Sequence, residues 1–549
     1  MADPALLTER EQRRLRDGVR DPLWLPDGGQ FIPALTRLAY QMQTTKLGHD
    51  KGAVVVDYDT AVVLLNGLAQ IAEASLLVGF DTGILDEHEE TIRFFHQLLQ
   101  EFFAARQLST APDLPQLAVN TRADQVVPVL ETQLGQLAAG EPLPPLTTTG
   151  WEETAVMAAA VAADPDTFVR QILAVNPALA GRCLAATDVH CSADVHREVT
   201  DRLLTDLADA GEDLRARIAY GRVLGTLADP RLKETTGPYG RALLPHFATI
   251  PAGTHQVGAD GTPYPLESPA HRIDLPAFEI AVTPVTNAEY ALFVAASGYE
   301  DERWWRTETA RRWLAGDGLL DQIADEWIRK RDNLQRQPRL PVDMLARGSA
   351  TLVQAVGMVK LTSMTDQQIR EALSAVYGRG APRQPAYWHD FQLNHPACPV
   401  VGVSVYEAEA YCAWLSATTR TSIRLPTEYE WEAAASASRT LFPYGDAFDL
   451  YAANTFELHV RTTTPVGVFP TGVTADGCHD MSGNVFEWTA SEYRPYPYAP
   501  DIPASDLPSA VRICRGGSWR HHQIRARSAY RGRGQCFVRN DDLGFRIAR

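Results

Sequence analysis

The side chains best suited to metal or nucleophilic chemistry are spaced in ways that match few known sites. Seven cysteines are scattered along the chain without a Cys-x-x-Cys pair, which is typical of reduced thiols in a cytoplasmic protein. His190 and His196 are too far apart for neighbouring turns of one helix face, and the adjacent His521 and His522 do not readily face one metal. The pattern Gly-x-x-x-x-Gly-Lys-Ser/Thr is missing, so we expect no ATP hydrolysis.

The composition indicates an acidic globular protein with several domains. A chain of 549 residues should hold roughly two to four domains. The net charge of −17 argues against general binding to nucleic acid or to an anionic membrane. The first residues lack the apolar core of a signal peptide and no run approaches the ~20 apolar residues of a membrane span, so we expect a cytoplasmic protein. Residues 511–549 are basic, with ten Arg and two Asp; some should be structural, and the remainder would favour an acidic ligand.

The elements that must position these side chains are clearest at the C-terminal end. Ordered motifs alternate there with segments that have no helical or strand period, 520–526 and 532–542. The motifs are Arg-Gly-Gly-Ser-Trp at 515–519, Arg-Ser-Ala-Tyr-Arg at 527–531 and Leu-Gly-Phe-Arg at 543–546. The Gly516-Gly517 pair permits a tight turn or a close approach that a Cβ would prevent.

These motifs, with Gly-Cys-His-Asp-Met-Ser-Gly-Asn-Val-Phe-Glu-Trp-Thr at 477–489, resemble the formylglycine-generating-enzyme-like family, an elaborated variant of the C-type lectin fold. The resemblance continues in family order through 247–254, 283–290, 399–414, 424–432 and 442–446. It implies an α+β domain over 241–549. A tryptophan-rich insertion over about 301–395 interrupts that domain, with helices expected around 318–335 and 365–377. Packing of the insertion itself is the expected use of its tryptophans; the alternative is a partner surface, because clustered tryptophans are common at binding hot spots.

The N-terminal half is expected to be all-α, which makes the whole chain multidomain. Residues 1–149 resemble the winged-helix and helical region that follows the NACHT nucleotidase in STAND NTPases, and 150–240 resemble short HEAT-like repeats. We predict one amphipathic helix from 91 to 105, with Phe95, Leu98, Leu99, Phe102 and Phe103 on its apolar side. A partner could bind this helical half.

Two catalytic chemistries implied by the resemblance lack their residues. Formylglycine-generating enzymes bind copper through two cysteines shortly after the Gly-Gly-Ser-aromatic motif, and here the segment 520–525 contains none. The related sulfoxide synthases bind iron with a His-x-x-x-His-x-Glu set, which does not occur. We therefore predict a protein that is not an enzyme and needs no copper, iron or ATP.

A structural calcium ion is implied by the same resemblance, because members of the family hold calcium with carboxylate and backbone oxygens. The matching positions are Asp480, the carbonyls of Gly483 and Val485, Glu487, and the start of a second set at Asn454 and Thr455. The alternative is that the two carboxylates only satisfy loop amides.

The sharpest functional hypothesis is that this is a variable protein of a diversity-generating retroelement, with a variable segment over 519–543. In such proteins adenine-directed mutagenesis rewrites a C-terminal segment while the scaffold stays constant. Gln523 and Gln535 are not reachable from asparagine codons by adenine changes. The candidate ligand-binding residues are Arg520, His521, His522, Ile524, Arg525, Gly532, Gly534, Cys536, Phe537, Asn540 and Asp541.

The expected partner is a protein or peptide bound at the C-terminal tip, on loops held by a rigid frame. Neither a membrane nor a nucleic acid is expected to bind there. One alternative is an unvaried sensor module of a STAND-type signalling or defence protein. Another is a metal-dependent oxidase of the formylglycine-generating or sulfoxide-synthase type.

Overall fold

The computed structural model describes residues 29–45, 54–65, 72–88, 91–316, 319–346, 352–377, 382–436, 440–507 and 510–549. The chain divides into two compact units, Met1–Asn120 with Leu146–Leu203, and Thr121–Pro145 with Leu204–Arg549. This division differs from the predicted boundaries at 149 and 240, because residues 121–145 lie with the second unit. No helix within the described ranges is long and apolar enough to cross a membrane.

The first unit is mainly helical, with one small antiparallel sheet. Its helices are α1 (Phe31–Thr44), α2 (Tyr58–Leu64), α3 (Ala72–Asp81), α4 (Gln97–Thr110), α5 (Leu114–Leu117), α7 (Glu152–Val161), α8 (Pro165–Leu173), α9 (Pro177–Ala185) and α10 (Ala193–Ala208), the last of which continues into the second unit. The strands β1 (Val55–Asp57), β2 (Leu85–His88) and β3 (Thr91–Phe94) pair in the order β1-β3-β2. The helical character of this half is confirmed.

The predicted helix over 91–105 is wrong in its first third, where β3 forms instead. Helix α4 begins only at Gln97, and the Nδ1 atom of His96 accepts a hydrogen bond from the Leu98 amide as its cap. Phe95 is 71% exposed and Leu98 52% exposed, so the predicted apolar stripe is not one buried face. The physical reason is that strand pairing with β1 and β2 competes with helix formation for residues 91–94.

The second unit combines short strands with helices. Outside 301–395 its helices are α6 (Leu130–Gln136), α11 (Leu214–Thr226), α12 (Asn287–Ala295), α18 (Val405–Thr419) and α19 (Glu428–Ala435). Its strands are β4 (Lys233–Gly237), β5 (Gly240–Leu244), β6 (Phe247–Ile250), β7 (Gly253–Val257), β8 (His271–Leu275), β9 (Phe278–Ala281), β10 (Phe486–Glu492), β11 (Val511–Arg515), β12 (Gly532–Gln535) and β13 (Leu543–Phe545). The pairs β4–β5, β6–β9 and β7–β8 are two-stranded and antiparallel.

A four-stranded sheet in the order β12-β11-β10-β13 carries the C-terminal motifs. Strands β10, β11 and β12 are antiparallel neighbours, whereas β13 is parallel to β10. In this register Glu487 lies between Arg515 on β11 and Gly544 on β13. The sheet therefore fixes both ends of each loose C-terminal segment.

Three helices of this unit begin with a capping box, which explains why the sequence starts them where it does. Thr286 with Glu289 caps α12, Ser404 with Glu407 caps α18, and Thr427 with Glu430 caps α19. Helices α12 and α18 pack through rings such as Tyr290 and Tyr411, which stack at 5.4 Å. The two helix starts predicted at 283–290 and 399–405 are confirmed.

The insertion is helical, as predicted. It contains α13 (Glu308–Leu314), α14 (Leu319–Arg336), α15 (Leu340–Ala346), α16 (Leu352–Thr362) and α17 (Asp366–Tyr377). Trp304, Trp305 and Trp313 are buried and join the same core as α12 and α18. The use of these three tryptophans for packing is therefore confirmed.

Candidate functional site

The two loose C-terminal segments and the inserted helices enclose a cavity of about 1070 Å³ in the second unit. The segments 519–525 and 537–542 form one wall, and α14, α15 and α16 form the facing wall. Of the predicted ligand-binding residues, those lining the cavity are Arg520, His521, His522, Ile524, Arg525, Phe537, Asn540 and Asp541. We call this space the tip cavity.

The segment 519–525 is held in place by the Gly516-Gly517 pair that precedes it. Gly516 and Gly517 have φ angles of +94° and +74°, which favour glycine. A Cβ on Gly517 would lie 2.8 Å from the carbonyl oxygen of Arg525, so only glycine lets the segment return over its own start. The segment then forms a short 3-10 helix, Gln523–Arg525, which the sequence analysis did not predict.

Glu457 anchors the same segment from a neighbouring loop. Its Oε1 atom lies 3.0 Å from Nδ1 of His522 and accepts a hydrogen bond from the Gln523 amide at 3.0 Å. The His522 ring also packs against Phe456 at 4.8 Å. These contacts fix His522 in the wall and limit how far it can move toward a ligand.

A chain of three polar side chains lies at the floor of the tip cavity. Ser518 Oγ is 2.7 Å from Oδ2 of Asp542 and 2.7 Å from Nδ1 of His521. Ser518 and Asp542 are buried, and His521 lines the cavity. Burial, together with the nearby Arg525 and Arg520, lowers the pKa of His521 to about 4, although Asp542 opposes the shift. The imidazole is therefore neutral near pH 7.

The walls of the tip cavity carry more positive than negative charge. The cationic lining residues are Lys330, Arg461, Arg520, Arg525 and Arg539, and the acidic ones are Glu326, Asp541 and Asp542. Arg520 pairs with Asp541 at 2.5 Å, and Arg539 pairs with Glu407 at 3.0 Å. Lys330, Arg461 and Arg525 form no ion pair with any carboxylate in the described part of the chain; they lie instead over the rings of Trp327, Phe456 and Tyr530. These three cations remain available for an anionic group.

Three predicted ligand-binding residues lie outside the tip cavity. Gly532 and Gly534 belong to β12, where they pair with Cys514 and Arg512 of β11. Cys536 is buried, with its sulfur 3.5 Å from the carbonyl oxygen of Ala510. Residues 532–535 show no alternation of apolar and polar side chains, because two of the four are glycine. Backbone hydrogen bonds hold this edge strand in place, and side-chain patterns do not reveal such bonds.

Part of the site lies outside the predicted ligand-binding residues. Ser518 stands in the Arg-Gly-Gly-Ser-Trp motif, and Asp542 ends the loose segment 532–542 without being one of those residues. Lining residues that the sequence did not indicate include Lys330, Met358 and Arg539. A basic excess among the last residues hinted at an acidic ligand, but no pattern in the insertion indicates that it covers the tip.

The predicted calcium ligands fall into two groups with different surroundings. Both carboxylate oxygens of Glu487 accept hydrogen bonds from Arg546, at 2.5 and 2.7 Å, and one also accepts from Trp431. A calcium ion at Glu487 would compete with a buried guanidinium, so the 480–487 set does not fit the ion. Asp480 accepts hydrogen bonds from the Gly467 amide and from Asn484.

The second group fits a cation better. Asn454 Oδ1 and the hydroxyl oxygens of Thr455, Thr463 and Thr464 are buried and have no hydrogen-bond partner among the residues that the structure describes. Such oxygens suit calcium or ordered water. Within the residues described, no group of three or more His, Cys, Asp or Glu side chains is arranged to hold a metal. The calcium prediction therefore stays a prediction, restricted to Asn454 and Thr455.

Comparison with known proteins identifies relatives of the second unit. Residues 233–549 match the model of the FGE-sulfatase family, described as the sulfatase-modifying factor enzyme 1-like domain. Hercynine oxygenase of Mycolicibacterium smegmatis is 29% identical over 288 residues, which is 49% of this chain and 53% of that protein. Formylglycine-generating enzyme of Mycobacterium tuberculosis is 29% identical over 285 residues, 49% of this chain and 82% of that protein.

Among solved structures, Treponema denticola variable protein 1 aligns with a TM-score of 0.35 and 18% identity, over 58% of this chain and 99% of that one. The chain spans about half the length of the hercynine oxygenases that it matches.

These relatives overturn the prediction that the chain is not an enzyme. Hercynine oxygenase and formylglycine-generating enzyme are named as enzymes, and each matches about half of this chain. The missing cysteine pair and the missing histidine motif therefore do not exclude catalysis.

Proposed function

Because the chain belongs to the sulfatase-modifying factor enzyme 1-like domain family, we propose that its tip cavity binds an acidic peptide segment of another protein, as ligand or substrate. One observation carries the proposal: Lys330 and Arg525 line the cavity from its two walls, and neither is neutralised by an ion pair with a described residue. Both cations would attract an anionic group that enters the cavity.

The size and lining of the tip cavity support a peptide. About 1070 Å³ is more than most drug-sized ligands need, and the lining mixes cations with rings such as Trp327, Trp519 and Phe537. Rings and arginines are the residue types that carry most binding energy at protein interfaces. The chain as a whole is acidic and repels an acidic segment. Such a segment is therefore attracted mainly to the basic cavity.

The test is selection of peptides from a random-sequence phage library against the full chain, followed by affinity measurements on labelled hits. We expect the hits to be rich in Asp and Glu. We expect Lys330→Glu and Arg525→Glu each to weaken binding about tenfold, which corresponds to about 1.4 kcal/mol. Higher salt should weaken wild-type binding and affect the two variants less.

Matched charge reversals serve as controls. Arg533→Glu changes an exposed arginine on β12, and Lys360→Glu changes an exposed lysine on α16; neither residue lines the tip cavity. Equal losses of peptide affinity in the control variants would mean that the net charge of the protein, and not these two positions, determines binding. Hits without acidic residues would contradict the proposal.

A second candidate function is display of diversified residues by a retroelement. The specific observation is the position of Gln523 and Gln535, the two residues that adenine changes do not produce: neither lines the tip cavity, whereas eight predicted variable residues do. The test is genomic. We expect a near-copy of the 3′ end of the gene beside a reverse transcriptase gene, with mismatches at adenines; a locus without that copy would contradict this candidate.

A further inference from the structure

The hydrogen-bond chain at the floor of the tip cavity determines which nitrogen of His521 carries its proton. A carboxylate only accepts hydrogen bonds, so the Ser518 hydroxyl must donate its single hydrogen to Asp542. The oxygen of Ser518 is then left as an acceptor, and Nδ1–H of His521 donates to it at 2.7 Å. The lone pair of this imidazole is consequently on Nε2.

The surroundings of His521 keep it in that neutral form. Its ring packs against Phe486 at 5.1 Å, and 25% of its side chain remains exposed. The charged groups that face it are Asp542, which favours protonation, and Arg520 and Arg525, which oppose it, with His522 beside them. Burial and the two arginines outweigh the carboxylate, so a second proton is not taken up near pH 7.

The open nitrogen has no partner in the described part of the chain. His521 lines the tip cavity, and its hydrogen bonds to described residues use Nδ1, the amide and the carbonyl oxygen. A lone pair there accepts a hydrogen bond from whatever enters. A protonated amine would meet Arg520 and Arg525 close by, a thiol is a weak donor, and an amide nitrogen donates without accepting from these arginines. A hydroxyl group can donate to Nε2 and accept from an arginine at the same oxygen, so it suits the position best.

We propose that His521 is a specificity-determining acceptor, held in its Nδ1–H form by Asp542 through Ser518, and that it selects ligands with a hydroxyl group beside an acidic group. This inference rests on the proposed peptide-binding function and adds the class of side chain: Ser, Thr or Tyr next to Asp or Glu. Asp542 and Ser518 are positioning residues, since they act through His521.

The first arm of the test needs no ligand. Nitrogen NMR on the full chain with ¹⁵N-labelled histidine should show His521, identified by its loss in His521→Phe, as the neutral Nδ1–H form near pH 7. Asp542→Leu should reduce that form, because the Ser518 hydroxyl is then free to donate to Nδ1, whereas Ser518→Ala should retain it, because Nδ1 lies 3.4 Å from Oδ2 of Asp542. Ser436→Ala is the matched control, because that hydroxyl bonds only the carbonyl oxygen of Glu432. A wild-type Nε2–H form would overturn the inference.

The second arm is a double-mutant cycle between protein and peptide. Replacing the hydroxyl residue of a selected peptide by Ala should weaken binding to wild type about fivefold. The same replacement should have no effect on His521→Phe, which keeps the ring contact with Phe486, and His521→Gln should partly restore it because its amide oxygen can accept. A thiol-containing peptide should bind like the Ala peptide.

The two arms separate the failures. If acidic peptides bind and the charge reversals weaken them, but the cycle shows no coupling at His521, the proposed function stands and this inference is wrong. If no peptide binds the tip cavity, the proposed function and the selection of hydroxyl ligands are both wrong, whatever form of His521 the nitrogen spectrum shows.

Discussion

Arg546 and Glu487 form a fully buried ion pair in which both carboxylate oxygens accept hydrogen bonds from the guanidinium, at 2.5 and 2.7 Å. Two further Arg546 N–H groups donate to the carbonyl oxygens of Ala281 and His479, each at 2.9 Å. The pair thus joins β10, β9, the loop before β10 and the residue after β13. It gives the motif ending in Arg546 a structural role at the base of the sheet that carries the tip.

Breaking this pair should be costly. We expect Arg546→Met to lower the free energy of unfolding by about 3–5 kcal/mol, because it leaves the buried Glu487 carboxylate without its counter-charge and with the hydrogen bond from Trp431 alone. The double variant with Glu487→Gln should lose less than the sum of the single changes. The measurement is urea unfolding followed by tryptophan fluorescence.

The matched control is Arg549→Met, which breaks a similar two-bond pair with Glu279 that is about one-third exposed. We expect about 0–1 kcal/mol for that change. Equal losses at the two positions would show that burial does not set the strength of the pair.

Glu289 should make stability fall as the pH rises. Burial raises the pKa of this carboxyl from 4.5 to about 7, although hydrogen bonds from Thr286 oppose the shift. Between those pH values the unfolded chain releases the proton before the folded chain does, so the folded state loses stability with rising pH. Glu289→Gln removes that loss. We expect the variant to gain about 3 kcal/mol relative to wild type between pH 4.5 and about pH 7.5.

The measurement is urea unfolding of both proteins across that pH range. Glu234→Gln, an exposed glutamate on β4, serves as the control and should show a nearly constant difference. A difference between Glu289→Gln and wild type that does not change with pH would contradict the raised pKa.

Asp541 should make peptide binding pH-dependent. Burial raises the pKa of this carboxyl to about 6, against the opposing charge of Arg520. Below that pH the carboxyl is neutral and releases Arg520, whereas an acidic peptide keeps its charge down to about pH 4. We expect affinity for a selected acidic peptide to rise roughly fivefold from pH 7.5 to about pH 5.5.

In Asp541→Asn the affinity should be high and nearly constant over the same range, as measured by fluorescence anisotropy. A wild-type affinity that falls on acidification would show that another group controls binding. An Asn variant with the wild-type pH profile would show the same.

Calcium, if it binds at Asn454 and Thr455, should raise the melting temperature. Binding to the folded state alone stabilises it by about 2.7 kcal/mol when calcium is at one hundred times its dissociation constant. We expect a higher melting temperature in calcium than in EGTA, and no such difference in Asn454→Leu, which removes a buried oxygen without a partner. Identical wild-type melting temperatures in the two buffers would show that calcium does not stabilise this protein.

Local features of the chain were predictable because their causes are local. The helix starts before Asn287 and Val405 follow from capping residues three positions apart. The turn at Gly516-Gly517 follows from the freedom that glycine alone has. The family motifs and the helical insertion were recognised for the same reason, since each is contained in a short continuous segment.

The sequence by itself thus determined the kind of domain, the order of its motifs and the segment that forms the tip. Only the tertiary structure decided what faces that tip. Lys330 and Arg525 are far apart in the chain and line one cavity because the inserted helices form part of its wall. Strand β12 exists because backbone pairing with β11 holds it, and Ser518 positions His521 because the ends of β11 and β13 bring Asp542 within hydrogen-bond distance. Contacts between distant residues depend on packing, which no local pattern encodes.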